Sequence, residues 1–167
     1  LIYGAGAIGR GYLPWILSEK SKISYVENNN NLINFFKKNK NFFSLMIKNQ
    51  KYLSKKVFFE NIYRFGEEVK YINNFDLIIL CAGTRSIELI AENLLNFKKK
   101  ILVLENDLKC IDALKTKLPS NKNIFFGIPD VISSNTASEK IKKKYGKKII
   151  ITENGICYVG KRLEPSF

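Results

Sequence analysis

The chain has 167 residues, with 28 Lys plus Arg against 15 Asp plus Glu, a formal charge of +13, and no histidine. Without an imidazole, a Ser-His-Asp triad, a Cys-His dyad and a Cys2His2 zinc site are excluded within these residues. A hydrophobic fraction of 46%, including 13% aromatics, suffices for a packed core at the length of one domain, so a disordered chain is excluded as well.

No run approaches the roughly 18 apolar residues of a membrane span and no signal-peptide pattern opens the chain, so the expected location is the cytoplasm. Cys81, Cys110 and Cys157 are odd in number and form no CxxC pair. They are expected to be reduced and mostly buried, with neither a disulfide framework nor a metal knuckle. The positive charge raises the question of nucleic acid, because cationic side chains release counterions from phosphates. Only Arg10, Arg64, Arg85 and Arg162 are arginines, however, and base-edge readout leans on arginine forks. The lysines are scattered among Asn and Ile and read as a solvated basic surface, so nucleic acid is not an expected partner. Their densest cluster, Lys140, Lys142, Lys143, Lys144, Lys147 and Lys148, reads as an exposed helix end and loop.

The chain opens on a short apolar run, Leu1-Ile2-Tyr3, directly before Gly4-x-Gly6-x-x-Gly9. Leu1 falls mid-strand, so the first strand is expected to begin upstream of it. Tyr12, Leu13, Trp15, Ile16 and Leu17 then predict a helix packed on a sheet, with Pro14 in its first turns. Ile23 to Val26 predicts the second strand, ending at Glu27. A short helix is expected over Leu32 to Phe36. Phe42 to Ile47 and Tyr52 to Phe59 alternate as strands, a hairpin around Asn49-Gln50 that interrupts the α/β alternation. Glu67 to Ile72 predicts a short helix, and Asp76 to Gly83 a buried parallel strand. A helix from Ser86 to Leu95, a strand over Ile101 to Leu104, a helix from Asp107 to Leu118 and a strand over Ile124 to Gly127 follow. Lys148 to Thr152 and Ile156 to Val159 read as two strands around a Glu153-Asn154-Gly155 turn.

This order predicts an α/β fold, a Rossmann-like doubly wound, mainly parallel sheet with a small β insertion. Three glycines alone are weak evidence, but here they stand between a strand and a helix. In that context Gly4 permits the tight turn, Gly6 lets the backbone approach a pyrophosphate, and Gly9 lets helix and strand close together. The amides of Ala7 and Ile8 open the helix toward the same anion. Glu27 can accept hydrogen bonds from an adenosine ribose and would repel a 2′-phosphate, so NAD is favoured over NADP. Ala82, Gly83 and Thr84 end one later strand, and Glu105, Asn106 and Asp107 end the next, along the edge where a doubly wound sheet holds its ligand. Helix capping is the competing reading for Thr84 and Asp107.

Gly4-Ala5-Gly6-Ala7-Ile8-Gly9-Arg10-Gly11 resembles the opening fingerprint of the mannitol dehydrogenase family, especially its mannitol-1-phosphate 5-dehydrogenase branch. Asp76 to Gly83, the Glu105-Asn106 pair and Ile128-Pro129-Asp130 are similar to later family segments, in the same order. The resemblance covers the family's N-terminal half. It implies an NAD-binding domain, a polyol or sugar phosphate as substrate, and Asn106 as the amide that helps hold the substrate oxygen. It also implies a following helical catalytic domain in cis, carrying a lysine base and a histidine motif that these residues lack. The family's charged pair after Phe-Pro-Asp is replaced by Ser134 and Asn135, so the substrate does not transfer with the resemblance. The expected function is hydride transfer between a polyol carbinol and NAD, with no activity from these residues alone. A non-enzymatic dinucleotide-sensing module is the alternative.

Overall fold

Successive side chains in a strand point to opposite faces, and in this chain both faces are apolar. The computed structural model describes residues 1–17, 19–48, 51–130, 133–134, 149–151 and 156–160. The elements begin with β1 (Ile2–Tyr3), a π-helical turn (Ala7–Tyr12) running into α1 (Leu13–Ile16), β2 (Ser24–Glu27) and α2 (Asn30–Lys38). Next come β3 (Asn41–Lys48), β4 (Lys51–Phe58), β5 (Asn61–Arg64), a 3-10 turn (Val69–Asn74) and β6 (Leu77–Leu80). A short 3-10 turn (Thr84–Ser86) leads into α3 (Ile87–Asn93), followed by β7 (Lys100–Leu104), α4 (Lys109–Lys117) and β8 (Ile124–Asp130). The remaining strands are β9 (Ser133–Ser134), β10 (Ile149–Ile151) and β11 (Ile156–Gly160).

The main sheet has the order β11-β8-β7-β6-β1-β2-β5. Its first six strands in chain order are all parallel, and β11 alone runs antiparallel, along β8. Counting only the parallel strands, the order is 3-2-1-4-5-6, so the fold is a Rossmann-like α/β sheet with its topological switch between β1 and β6. Alternation fixes which side chain goes where. Tyr3, Val26, Ile78, Leu80, Ile101 and Val103 face one core with Ile87, Ile90 and Leu114 from α3 and α4. Ile2, Tyr25, Ile79 and Leu104 face the other core with Leu13, Phe36 and the hairpin residues Phe42 and Val57. Tyr25, Phe36, Phe42 and Phe59 form an aromatic cluster there, with the Phe36 and Phe59 centroids 4.9 Å apart. Among the described residues no helix is long and apolar enough to cross a membrane.

Four features depart from the expectations. The helix after the glycines starts as a π-helical turn, and Pro14 bears on its register: the missing N–H would strand the Arg10 carbonyl in an α-helix and strands the Gly9 carbonyl in the π turn, where Tyr25 can replace it. Leu13 N–H accordingly bonds the Ile8 carbonyl, and the Gly9 carbonyl, whose partner in this register would be Pro14, accepts the Tyr25 hydroxyl at 3.1 Å instead. The segment expected as a helix over Glu67 to Ile72 is the 3-10 turn Val69–Asn74. The third parallel strand, β5, is only four residues long and half-exposed, too short and mixed to show a period in the sequence. The two strands read around Asn154-Gly155 do not pair with each other. β10 joins a second, four-stranded sheet, β4-β3-β10-β9, while β11 closes the main sheet. Residues 152–155, the Lys140 to Lys148 cluster and the Asn49-Gln50 turn lie outside the described residues.

The second sheet braces the glycine segment through Ser44, a fully buried residue of β3. Its hydroxyl donates to the Gly11 carbonyl at 2.8 Å and accepts from Trp15 Nε1 at 2.8 Å. Replacing Ser44 by Ala orphans both partners. We expect Ser44→Ala to lower the unfolding free energy by about 2 kcal/mol, seen as a reduced urea midpoint at unchanged slope; an unchanged midpoint would show that the two groups find other partners.

Candidate functional site

The glycine segment sits where three strand ends meet. Tyr3 is level with Val26 on one side and Leu80 on the other. Beyond them Gly4 N–H bonds the Val26 carbonyl at 2.9 Å, and Cys81 N–H bonds the Tyr3 carbonyl at 2.9 Å. Gly4 has φ +96°, and a β-carbon on it would lie 2.5 Å from the Cys81 carbonyl oxygen. The exit of β6 therefore crosses directly over the exit of β1, and only glycine fits beneath it. Gly9 is constrained from the other side, since a β-carbon there would lie 2.0 Å from the Gly4 carbonyl oxygen. Gly6 is different. A β-carbon there would meet nothing within 4 Å, and its φ of −82° is open to any residue. The space in front of Gly6 is thus solvent or ligand space.

A cleft of about 260 Å³ opens at this level, lined by Gly4, Gly6, Glu27 and Asn28 on one side and Ala82, Ser86, Leu89 and Ile90 on the other, with Tyr3, Val26, Phe65 and Cys81 at its base and walls. It lies over the β1/β6 switch, where doubly wound sheets hold ligands. A larger cavity of about 540 Å³ lies at the opposite, N-terminal edge of the strands, among Leu1, Lys22, Tyr63 and Leu77, away from the glycine turn.

Glu27 is half-buried and already engaged. Its Oε2 accepts from Ala5 N–H at 3.0 Å, and its Oε1 accepts from the Asn28 and Asn29 amides at 2.8 and 2.9 Å. A carboxylate has about four acceptor positions, so these three bonds leave room on Oε2. Arg10 Nε donates to the Ala5 carbonyl, and its guanidinium lies 5.6 Å from the centroid of Phe36. Burial pulls the Arg10 guanidinium below its ordinary value, opposed by Tyr25 and Glu27 nearby.

No family model matches this sequence, and no curated protein does either. Solved structures do. A protein described as a 2-dehydropantoate 2-reductase of Enterococcus faecalis superposes with a TM-score of 0.63 at 20% identity, over 95% of this chain and 46% of its own. D-mandelate dehydrogenase in complex with NADH gives 0.65 at 15% identity, over 95% of this chain and 45% of its own. Octopine dehydrogenase with NADH and agmatine gives 0.62 at 10% identity, over 97% and 42%. These likenesses show the fold. The chain spans less than half the length of those structures.

The expected site residues divide. Gly4, Gly6, Glu27 and Ala82 line the cleft. Ala7, Ile8 and Gly9 belong to the π-helical segment behind it, and of these Gly9 serves packing. Gly83 and Thr84 are exposed at the end of β6, Gly83 with φ +90°. Gly83 N–H bonds Glu105 Oε1 at 2.8 Å, tying this turn to the end of β7. Burial pushes the Glu105 carboxyl up from its ordinary value, opposed by the Gly83 N–H. Thr84 opens the 3-10 turn that leads into α3, and Asp107 accepts from Lys109 N–H at 2.9 Å at the start of α4, so both have local structural work. Asn106 is exposed beyond β7 and outside the cleft lining. Cys81 and Cys110 are free thiols, Cys110 buried and Cys81 half-buried. Burial, then the Glu105 and Glu27 carboxylates, push the Cys81 thiol up, so it stays protonated.

The sequence did not reveal Glu68, a fully buried carboxylate. Its Oε1 accepts from the Tyr3 hydroxyl at 3.0 Å and Asn93 Nδ2 at 2.9 Å, and its Oε2 from Gly66 N–H at 2.6 Å. One side chain thereby ties β1, α3 and the loop after β5, which are three walls of the cleft. An acid flanked by Glu67 and Val69 in a polar stretch carries no sequence signal of this role.

The two inner glycines make opposite predictions. Gly9→Ala should cost about 3 kcal/mol or more, because backbone must move, whereas Gly6→Ala should change stability by no more than about 0.5 kcal/mol. Denaturant titration of both variants checks this, and equal losses would contradict the placement of the turn.

Proposed function

We propose that this chain is the dinucleotide-binding part of an NAD-dependent oxidoreductase. The observation that carries the reading is the open face of Gly6 beside Glu27, in a cleft over the strand-order switch, with Gly4 and Gly9 spent on making that face possible. The residues suit the group. The N–H groups at Gly6, Ala7 and Ile8 would hold a diphosphate, the remaining acceptor position on Glu27 a ribose hydroxyl, and the apolar side of the cleft at Val26, Phe65 and Leu89 the adenine. The bound nicotinamide supplies hydride acceptance or donation. Toward it, the chain offers the Ala82–Thr84 turn, fixed by Glu105, and the Asn106 amide beyond it as a hydrogen-bond donor to a substrate oxygen. The complexes of D-mandelate dehydrogenase and octopine dehydrogenase with NADH support the choice of cofactor.

The finer reading is a polyol or polyol-phosphate dehydrogenase, and it rests on the ordered agreement of the glycine segment, Glu105-Asn106 and Pro129-Asp130 with the mannitol dehydrogenase family. The solved structures named above act on other substrates by their descriptions, so this step stands on residues alone. Oxidation of a carbinol needs a group to take the hydroxyl proton, and with no histidine in the chain that group is proposed to come from a further domain.

Isothermal titration tests the cofactor assignment. Wild type should bind NADH at least about tenfold more tightly than NADPH, since a 2′-phosphate meets the Glu27 charge. Glu27→Ala should weaken NADH and narrow the gap. A Glu27→Ala variant that holds NADH as tightly as wild type would remove the ribose assignment, and absence of any NADH binding would remove the function.

A further inference from the structure

Arg10, on the π-helical turn that follows the glycines, reaches back to the backbone of the turn. Its Nε donates to the Ala5 carbonyl, its guanidinium lies over the Phe36 ring at 5.6 Å, and most of its surface is withdrawn from water. The same Ala5 residue donates its N–H to Glu27 Oε2 at 3.0 Å. Ala5 is fully buried between the two glycines that shape the turn. An anion-binding turn works only if its amides are already aimed, because ordering them at the moment of binding costs affinity. The Ala5 backbone is held at both ends by opposite charges, one from the π-helical turn and one from the end of β2.

We propose that Arg10 is a positioning residue for the diphosphate, clamping the Ala5 carbonyl against the pull of Glu27 so that the turn keeps its shape at the diphosphate end of a dinucleotide. The inference rests on the dinucleotide reading above. Two physical effects act in the same direction. The clamp fixes the height of Gly6 over the cleft, and a guanidinium in a poorly solvated site places positive charge behind the amides that would face the phosphates. Arg10 itself lies outside the cleft lining, so it acts through the turn rather than by contact. Lysine is not equivalent, because an ammonium on a flexible stem does not reproduce the planar donor that lies over Phe36 and reaches the Ala5 carbonyl.

The test compares ligands that do and do not use the turn. NADH and adenosine are titrated into wild type, Arg10→Gln and Arg10→Lys, with thermal unfolding recorded for each. Arg10→Gln should weaken NADH about tenfold or more, the scale of a charge-assisted hydrogen bond, and leave adenosine within about twofold. Arg10→Lys should retain part of the NADH affinity and all of the adenosine affinity. If Arg10→Gln does not fold, the Lys variant decides by the same comparison. A parallel loss of both ligands marks a merely structural role and overturns the proposal, as does unchanged NADH affinity in a folded variant. Wild type that binds no NADH would instead overturn the dinucleotide reading, and this proposal with it.

Discussion

The structure depends on a backbone crossing. At the centre of the sheet the exit of β6 passes over Gly4 so closely that the Cys81 carbonyl occupies the space a side chain would need, and the Gly4 carbonyl in turn occupies the space beside Gly9. Sterics alone fix the glycines at these two positions, with no ligand invoked. Their consequence is that the chain leaves β1, turns sharply, and presents Gly6 with an open face. Gly6 is the one of the three that the protein's own packing does not demand. That open face, beside a carboxylate with acceptor capacity and in a cleft at the strand-order switch, is what the proposed dinucleotide site rests on.

Polar groups around that crossing are tied in pairs and triads. Glu27 gathers three backbone amides, Glu68 joins β1, α3 and the loop after β5, and Glu105 anchors the positive-φ turn at Gly83. Each buries or half-buries a carboxylate that N–H or O–H donors satisfy, which avoids the cost of an unpaired buried charge. Among the described residues no buried side-chain polar atom lacks a partner. These bonds tie the walls of the cleft to one another.

Much of this was legible in the residues. The continuous apolar runs at Ile78 to Leu80 and Ile101 to Leu104 marked strands buried on both faces, and the glycine spacing marked the first turn. What stayed hidden has physical reasons. β5 is four residues with two exposed ends and shows no period. The π register after the glycines goes with the missing N–H at Pro14 and a distant hydroxyl, Tyr25, that serves the Gly9 carbonyl in its place, an arrangement that no periodicity reports. β10 and β11 look like a hairpin because their turn residues favour one, yet each strand finds a longer partner in a different sheet, so tertiary pairing overrides local turn chemistry. Glu68 looks like any surface acid, and only the fold brings Tyr3 and Asn93 to it. Of the cleft lining, Gly4, Gly6, Glu27 and Ala82 were readable, while the apolar side at Phe65, Leu89 and Ile90 was not, since those residues look like ordinary core positions.

The most direct measurement of the central claim is amide chemical-shift mapping of the 15N-labelled chain on addition of NADH. The account predicts the largest changes at the amides of Gly6, Ala7 and Ile8, with a second group at Asn28 and Ala82. Changes confined to the opposite edge of the sheet, around Lys22 and Leu77, or no saturable changes at all, would contradict it.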